Sequence, residues 1–219
     1  MTHPQSRDIA IEPARATLLF VDVQKYNCIW EGGEYSQLSA AEKEKTYGYF
    51  FRTLKDSALP NMVLLQQACR RAGIEVTYTV IESMTADGRD RSLDYKITGF
   101  NVPKGSPDAE VVDELAPAED EIVFPKTSSS VFMSTNIDYV LRNLGTQYLI
   151  IAGCLTDQCV DSAVRDACDL GYLVTVPTDA CVTLSAERHD WSLRLNRGYC
   201  RQRTTRELLD EIALLTKSR

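Results

Sequence analysis

The chain has 219 residues, 44% of them hydrophobic, enough to bury a substantial core in one domain of ordinary size. Charged residues are 25% of the total and well mixed, which excludes a disordered tail or a fibrous chain. A formal charge of -7 argues against nucleic acid as a partner, and no apolar run approaches the roughly 20 residues of a membrane helix, so a cytoplasmic protein with no membrane partner is expected.

In chain order, strands are expected over residues 17–23, 75–81, 121–125, 148–153 and 173–177, with a weaker one over 199–204. Most are nearly continuous apolar runs, the pattern of parallel strands covered on both faces. Between the first two strands, one helix is expected near Ser39, with Glu42 three residues later, and another near Pro60. The aromatics Tyr47, Tyr49, Phe50 and Phe51 fall in this stretch. The polar loop 82–105, with turn signals at Asp87-Gly88 and Pro103, has the length of a lid, a pocket wall or a subunit contact.

Further along, Ser106-Pro107 opens an expected helix that ends before Pro117, with Val111, Val112 and Leu115 on one face. Ser134 opens another, carrying Ile137, Val140, Leu141 and Leu144 and closing at Gly145. A helix after the segment "GCLTDQCV" runs to about Leu170 and stops at Gly171. Thr204 and Glu207 form a capping box for the last helix, with Leu208, Leu209 and Ile212 inward. The arginine-rich stretch 188–206 reads as a solvated helix face or a subunit contact, and a homo-oligomer is expected. Strand–helix alternation without repeats or a linker implies one doubly wound, right-handed α/β domain. Ligands of such folds bind beyond the carboxyl ends of the strands. No GxGxxG or GxxxxGK[ST] fingerprint for a nucleotide cofactor occurs.

The residues at those strand ends are Asp22, Lys126 and the segment from Cys154 to Cys159. Asp22 breaks an apolar run, so it either caps the following loop or titrates as an acid or base. Lys126 is either a solvated strand end or, beside a carboxylate, an anion stabiliser. The seven cysteines are odd in number and lack a CxxC pair, and the only histidines are His3 and His189. Neither a disulfide framework nor zinc fits that inventory, and no metal or other cofactor is expected. Thr156 or Asp157 is a natural N-cap that places Cys159 in the first turn of the next helix, where a thiolate is favoured. Cys154, at the end of an apolar strand, reads as buried and inert. Cys28, Cys69, Cys168, Cys181 and Cys200 read as packing, with Cys28 alternatively bordering the cleft.

With their neighbours, these three residues resemble the isochorismatase-like cysteine hydrolases, which include nicotinamidases and N-carbamoylsarcosine, ureidoacrylate and biuret amidohydrolases. "LLFVDVQ", "PKTSSSVF" and "IIAGCLTDQCVDSAVRDACDLGY" carry the resemblance, which makes residues 1–219 one domain with a core of about 16–205. It implies a six-stranded parallel sheet of order 3-2-1-4-5-6 between helical layers, and a catalytic triad of Asp22, Lys126 and Cys159. It also implies a cis peptide at Cys154–Leu155 and an oxyanion hole from the N–H groups of Leu155 and Cys159. Nicotinamidases hold a metal with an Asp/His/His set near the second strand, whereas "TVIESMTADGRDRS" has no histidine. Isochorismatases that cleave a vinyl ether generally lack the cysteine. What the resemblance implies is a metal-independent amidohydrolase of small amide or ureido compounds acting through a thioester; the alternatives are vinyl ether hydrolysis or a non-catalytic binding role. Arg89, Arg91 and Lys96 are candidates to orient a substrate carboxylate, against a reading as solvated loop charges. Tyr26 and Trp30 are candidates for a pocket wall, against one as core packing.

Overall fold

Strands apolar on both faces can avoid water only between two helical layers. The computed structural model, which describes residues 6–217, builds that arrangement; His3 lies outside the described residues. The elements are β1 (Ala16–Val21), α1 (Lys25–Cys28), α2 (Ala40–Thr53), α3 (Leu59–Ala72), β2 (Glu75–Ile81), α4 (Leu93–Thr98), β3 (Ile122–Lys126) and α5 (Val131–Ser134). They continue with α6 (Ile137–Asn143), β4 (Tyr148–Cys154), α7 (Cys159–Asp169), β5 (Leu173–Pro177), β6 (Cys181–Val182), α8 (Ala186–Asn196), β7 (Arg201–Arg203) and α9 (Thr205–Lys217). The sheet is parallel, in the order β3-β2-β1-β4-β5-β7. That is the expected order, with the two-residue β6 as a seventh strand. β5 pairs with the first half of β4, and β6 takes over opposite Gly153 and Cys154.

Side chains that alternate along each strand sort into the two layers. Leu18 and Phe20 of β1 join Tyr78, Ile150 and Ala152 against Met62 and Leu65 of α3 and Leu208 and Ile212 of α9. Leu19 and Val21 point the other way, with Leu149 and Ile151, toward Ile137 and Leu141 of α6 and Val160, Ala163 and Val164 of α7.

Three helical expectations differ from the structure. The helices near Ser39 and Pro60 form one run, α2 and α3 joined by a π turn over Leu54–Ala58. Pro60 has no N–H to continue a regular ladder, and the wider turn accommodates it at the start of α3. The capping box of Ser39 and Glu42 is present at the start of α2. In place of a helix over residues 106–116 there are two 3-10 turns, Pro107–Ala109 and Asp113–Leu115. Between them Glu110 is extended and Val111 bridges Gln24, a state that suits a β-branched residue better than a helix does. Ser134 ends α5, and Thr135 is extended, so α6 starts at Ile137.

The basic stretch is largely committed within the chain. Arg188 pairs with Asp157, Arg201 with Glu211, Arg203 with Asp8 and Arg206 with Asp210. No helix among the described residues is long and apolar enough to cross a membrane.

At Gly153 there is no room for a side chain between β4 and β1. A Cβ there would lie 2.3 Å from the Val21 carbonyl oxygen, and its φ of +127° is one that L side chains rarely adopt. Gly153→Ala is therefore expected to lower stability by about 2–4 kcal/mol in denaturant unfolding. An unchanged midpoint would show that the two strands can separate freely at this point.

Candidate active site

Register levels the strand ends that meet here. Val21 of β1 lies opposite Thr79 of β2 and Gly153 of β4, and Ile81 of β2 lies opposite Lys126 of β3. One residue further on, Asp22 leaves β1 with φ 56°, a left-handed conformation that Asp tolerates better than most residues. Its N–H donates to the Thr79 carbonyl and hydroxyl oxygens, each at 3.1 Å. The Thr79 hydroxyl in turn donates to Asp22 Oδ1 at 2.6 Å. Gln24 ties the neighbouring segments together: its side-chain Nε2 donates to the carbonyls of Ile81 and Asp108. Beyond β4, the Cys154–Leu155 peptide is cis, and α7 begins at Cys159.

Asp22, Lys126 and Cys159, far apart in sequence, meet at the β1/β4 switch point. Lys126 Nζ is 2.9 Å from Asp22 Oδ2, with the two side chains 0% and 1% exposed. Nζ is also within reach of Tyr95 Oη (2.8 Å), the Ser128 carbonyl (2.8 Å) and Cys159 Sγ (3.4 Å). The Asp22 carboxylate thus has the ammonium on one side and a hydrogen bond with the Cys159 side chain on the other. Tyr95 Oη also lies 3.9 Å from Cys159 Sγ. No sequence motif singled out this tyrosine, because it sits mid-helix in α4 within the polar loop and reaches the site only through the fold.

Burial controls the charges. It pushes the Cys159 thiol up to about 12; Lys126 opposes this and the Asp22 charge reinforces it. Burial by itself would lower the Lys126 value, but Asp22, Cys159 and Tyr95 together hold it well above the ordinary lysine range. Burial at Cys159 thus favours the neutral thiol and works against the helix N-terminus, which favours a thiolate. The expected N-cap also differs. Gln158 occupies that position without a side-chain cap, since Thr156 Oγ1 is engaged with His189 Nδ1 and the Asp157 carboxylate with Thr183 and Arg188.

A cavity of about 260 Å³ opens onto Cys159 and Asp22. Leu155, Gln158 and Cys154 line it from the β4–α7 junction, Asn27, Glu34 and Tyr35 from the segment after β1, and Tyr47 from α2. The candidates for substrate contact are not among its lining residues, and each is engaged elsewhere. Tyr26 packs edge-on against Phe100, and Trp30 against Phe51 beneath the Lys43 ammonium. Arg89 pairs with Asp87 at the surface, and Lys96 is exposed on α4. The Arg91 guanidinium donates to the carbonyls of Gly88, Tyr95 and Phe100, so it braces its own loop. Cys28 borders an apolar surface depression instead of this cavity, with its Sγ 3.6 Å from Cys154 Sγ. Glu34, Asn27 and Gln158 were missed because isolated polar residues in irregular segments carry no periodic or motif signal.

A model of the isochorismatase domain matches residues 16–207. Among curated proteins, ureidoacrylate amidohydrolase of Rhizobium rhizogenes is 29% identical over 188 residues, covering 78% of this chain and 72% of that protein. The enzyme of the same name from Agrobacterium fabrum is 29% identical over 197 residues, covering 82% of each. Among solved structures, a cysteine hydrolase from Pseudomonas syringae pv. phaseolicola superposes with a TM-score of 0.80 at 24% identity, covering 98% of this chain and 100% of that one. N-carbamoylsarcosine amidase from Thermoplasma acidophilum gives 0.62 at 26% identity, covering 87% and 96%.

Two expectations follow from the geometry. Tyr95→Phe leaves one buried N–H of Lys126 without its acceptor, and is expected to cost about 1–3 kcal/mol of stability by chemical denaturation; a neutral result would detach Tyr95 from the cluster. Because the folded chain keeps the Cys159 proton up to about pH 12, alkylation of Cys159 should still be rising at pH 10. Over the same range the unfolded chain, with thiol values of about 8.5, loses its protons first, so stability should fall as pH climbs from about 9 toward 12. An alkylation plateau with its midpoint below 8.5 would contradict the protonated resting thiol.

Proposed function

The chain belongs to the isochorismatase domain family, and from that premise we propose that it is a cysteine hydrolase cleaving a C–N amide or ureido bond of a small molecule. The reading treats residues 16–205 as the core of one hydrolase domain. The observation that carries it is the buried contact of three groups. Lys126 Nζ lies 3.4 Å from Cys159 Sγ and 2.9 Å from Asp22 Oδ2, and the Asp22 carboxylate is hydrogen-bonded to the Cys159 side chain, where it can accept the thiol proton. Relatives named as ureidoacrylate amidohydrolases and an N-carbamoylsarcosine amidase support the choice of bond.

In this mechanism a substrate carbonyl enters the cavity and Asp22 Oδ2 takes the Cys159 proton. The N–H of Lys126 stabilises the new thiolate, which offsets the burial that otherwise keeps the sulfur neutral. The thiolate attacks the carbonyl carbon, and the C=O electron pair moves onto oxygen. The N–H groups of Leu155 and Cys159 receive that oxyanion; Cys159 is the first residue of α7, where backbone N–H groups have no intrahelical acceptor. Collapse breaks the C–N bond, and Asp22 returns its proton to the departing nitrogen as ammonia or an amine. Water then attacks the thioester, giving its proton to Asp22; the acid is released, and Cys159 leaves as thiolate and is reprotonated.

Tyr95 positions Lys126 in this scheme without touching the substrate carbonyl. Lys126 itself does no proton transfer, since Asp22 and the sulfur together hold it charged. Ammonia release from a panel of small ureas and amides is the test, comparing the unaltered chain with Cys159→Ala and Asp22→Asn. Each variant is expected to lose turnover on the order of 10⁴-fold while remaining folded. Turnover by Cys159→Ala equal to that of the unaltered chain would remove the sulfur from the chemistry.

A further inference from the structure

Resting on the reading of this cavity as the active site of a C–N hydrolase, the charge on its walls says what kind of substrate enters it. Of the residues that line it, Asp22 and Glu34 carry carboxylates, and none is an arginine, lysine or histidine. The nearest cation, Lys126, is fully buried and has its three donors committed to Tyr95, Ser128 and Cys159. A substrate bearing a carboxylate would find no cationic side chain on that lining to receive it.

Glu34 sits in the 3-10 turn Gly33–Tyr35, partly buried, and among the described residues it forms no ion pair. Aromatic rings share the lining with it. Tyr35 and Tyr47 also line the cavity, their ring centroids 4.6 Å apart and their planes tilted by 59°, and Phe100 adds a third ring to the lining. The Glu34 charge helps to raise the phenols of Tyr26, Tyr35 and Tyr47, in each case after burial itself, and Glu34 is hydrogen-bonded to the Tyr35 side chain. Burial in turn pushes Glu34 up to about 7, against the hydrogen bond with Tyr35 that lowers it.

A carboxylate without a counter-ion beside aromatic rings is a receptor for an organic cation: it offers charge-assisted hydrogen bonds, and ring faces attract positive charge. The volume of about 260 Å³ lies below the roughly 300–1,000 Å³ of drug-sized pockets, so the ligand is short. The chain's charge of -7 draws cations and repels anions at long range. We propose that the substrate carries a positively charged nitrogen, an ammonium or guanidinium, at the end away from the scissile bond, and that Glu34, with Tyr35 and Tyr47, is the specificity-determining residue that receives it. Here the chain parts from the carboxylate-bearing substrates anticipated from Arg89, Arg91 and Lys96.

The experiment uses three alkyl ureas of one chain length, H₂N–CO–NH–(CH₂)ₙ–X, with X an ammonium, a carboxamide or a carboxylate. Ammonia release by the full chain is expected to give a kcat/KM for the ammonium compound roughly tenfold or more above the other two, expressed mainly in KM. Glu34→Gln should shrink that ratio, and Glu34→Lys should turn the preference toward the carboxylate. In parallel, simple alkylammonium ions should protect Cys159 of the unaltered chain from alkylation, and alkylcarboxylates should not; this arm needs neither turnover nor a stable variant. Ureas hydrolysed fastest with a carboxylate or carboxamide end, with no protection by ammonium ions, would overturn the cation site and leave the hydrolase reading intact. Protection by ammonium ions with no urea or amide hydrolysed would do the reverse.

Discussion

A lysine ammonium with no exposure to water survives only where its charge and its three donors are all answered. At Lys126 the charge is answered by Asp22 and the donors by a phenol, a carbonyl and a sulfur. A buried pair of this kind adds little net stability, because desolvating two ions costs several kcal/mol each and roughly cancels their attraction. Its consequence is chemical. The ammonium holds the Asp22 carboxylate in place at 2.9 Å, beside the Cys159 side chain to which it is hydrogen-bonded. The same ammonium lies 3.4 Å from Cys159 Sγ, where its charge favours the thiolate against burial.

The fold delivers this cluster through register. Level ends of β1, β2 and β4 set Asp22 beside Thr79 and close to the β4–α7 junction. β3 contributes Lys126 from two strands away, which the long lysine side chain can span and a short one could not. Gly153 permits the close approach of β4 to β1, so backbone packing and site geometry depend on the same residue. The parts that line the cavity come from less regular segments, the turn around Glu34 and α2. There loop variation can reshape the cavity without altering the strand ends where Asp22 and Lys126 meet Cys159.

Apolar continuity made the strands legible in the sequence, and β2 and β5 fall where those runs predict. Asp22 and Lys126 were visible because each interrupts or ends an apolar strand, and Cys159 because it falls in the first turn of a helix. The two-residue β6 has no period to detect, and the turns over residues 107–115 arise from pairing with Gln24, a long-range contact that local propensity does not encode. Charge was the least legible property. A helix N-terminus favours a thiolate, but the burial that opposes it at Cys159 exists only once both layers are packed. Likewise the arginines of the polar loop look available in sequence, whereas Arg91 is consumed by carbonyls of its own loop and the cavity wall is acidic.

The central claim is that this one sulfur, flanked by Lys126 and Asp22, becomes covalently bonded to the carbonyl carbon. The most direct measurement is rapid acid quench of the chain during turnover of a slow urea or amide, followed by peptide mass analysis. The account predicts an acyl or carbamoyl adduct on the peptide containing Cys159, appearing and decaying with turnover. Sustained product release with every cysteine of that peptide unmodified, or with the adduct on another residue, would contradict it.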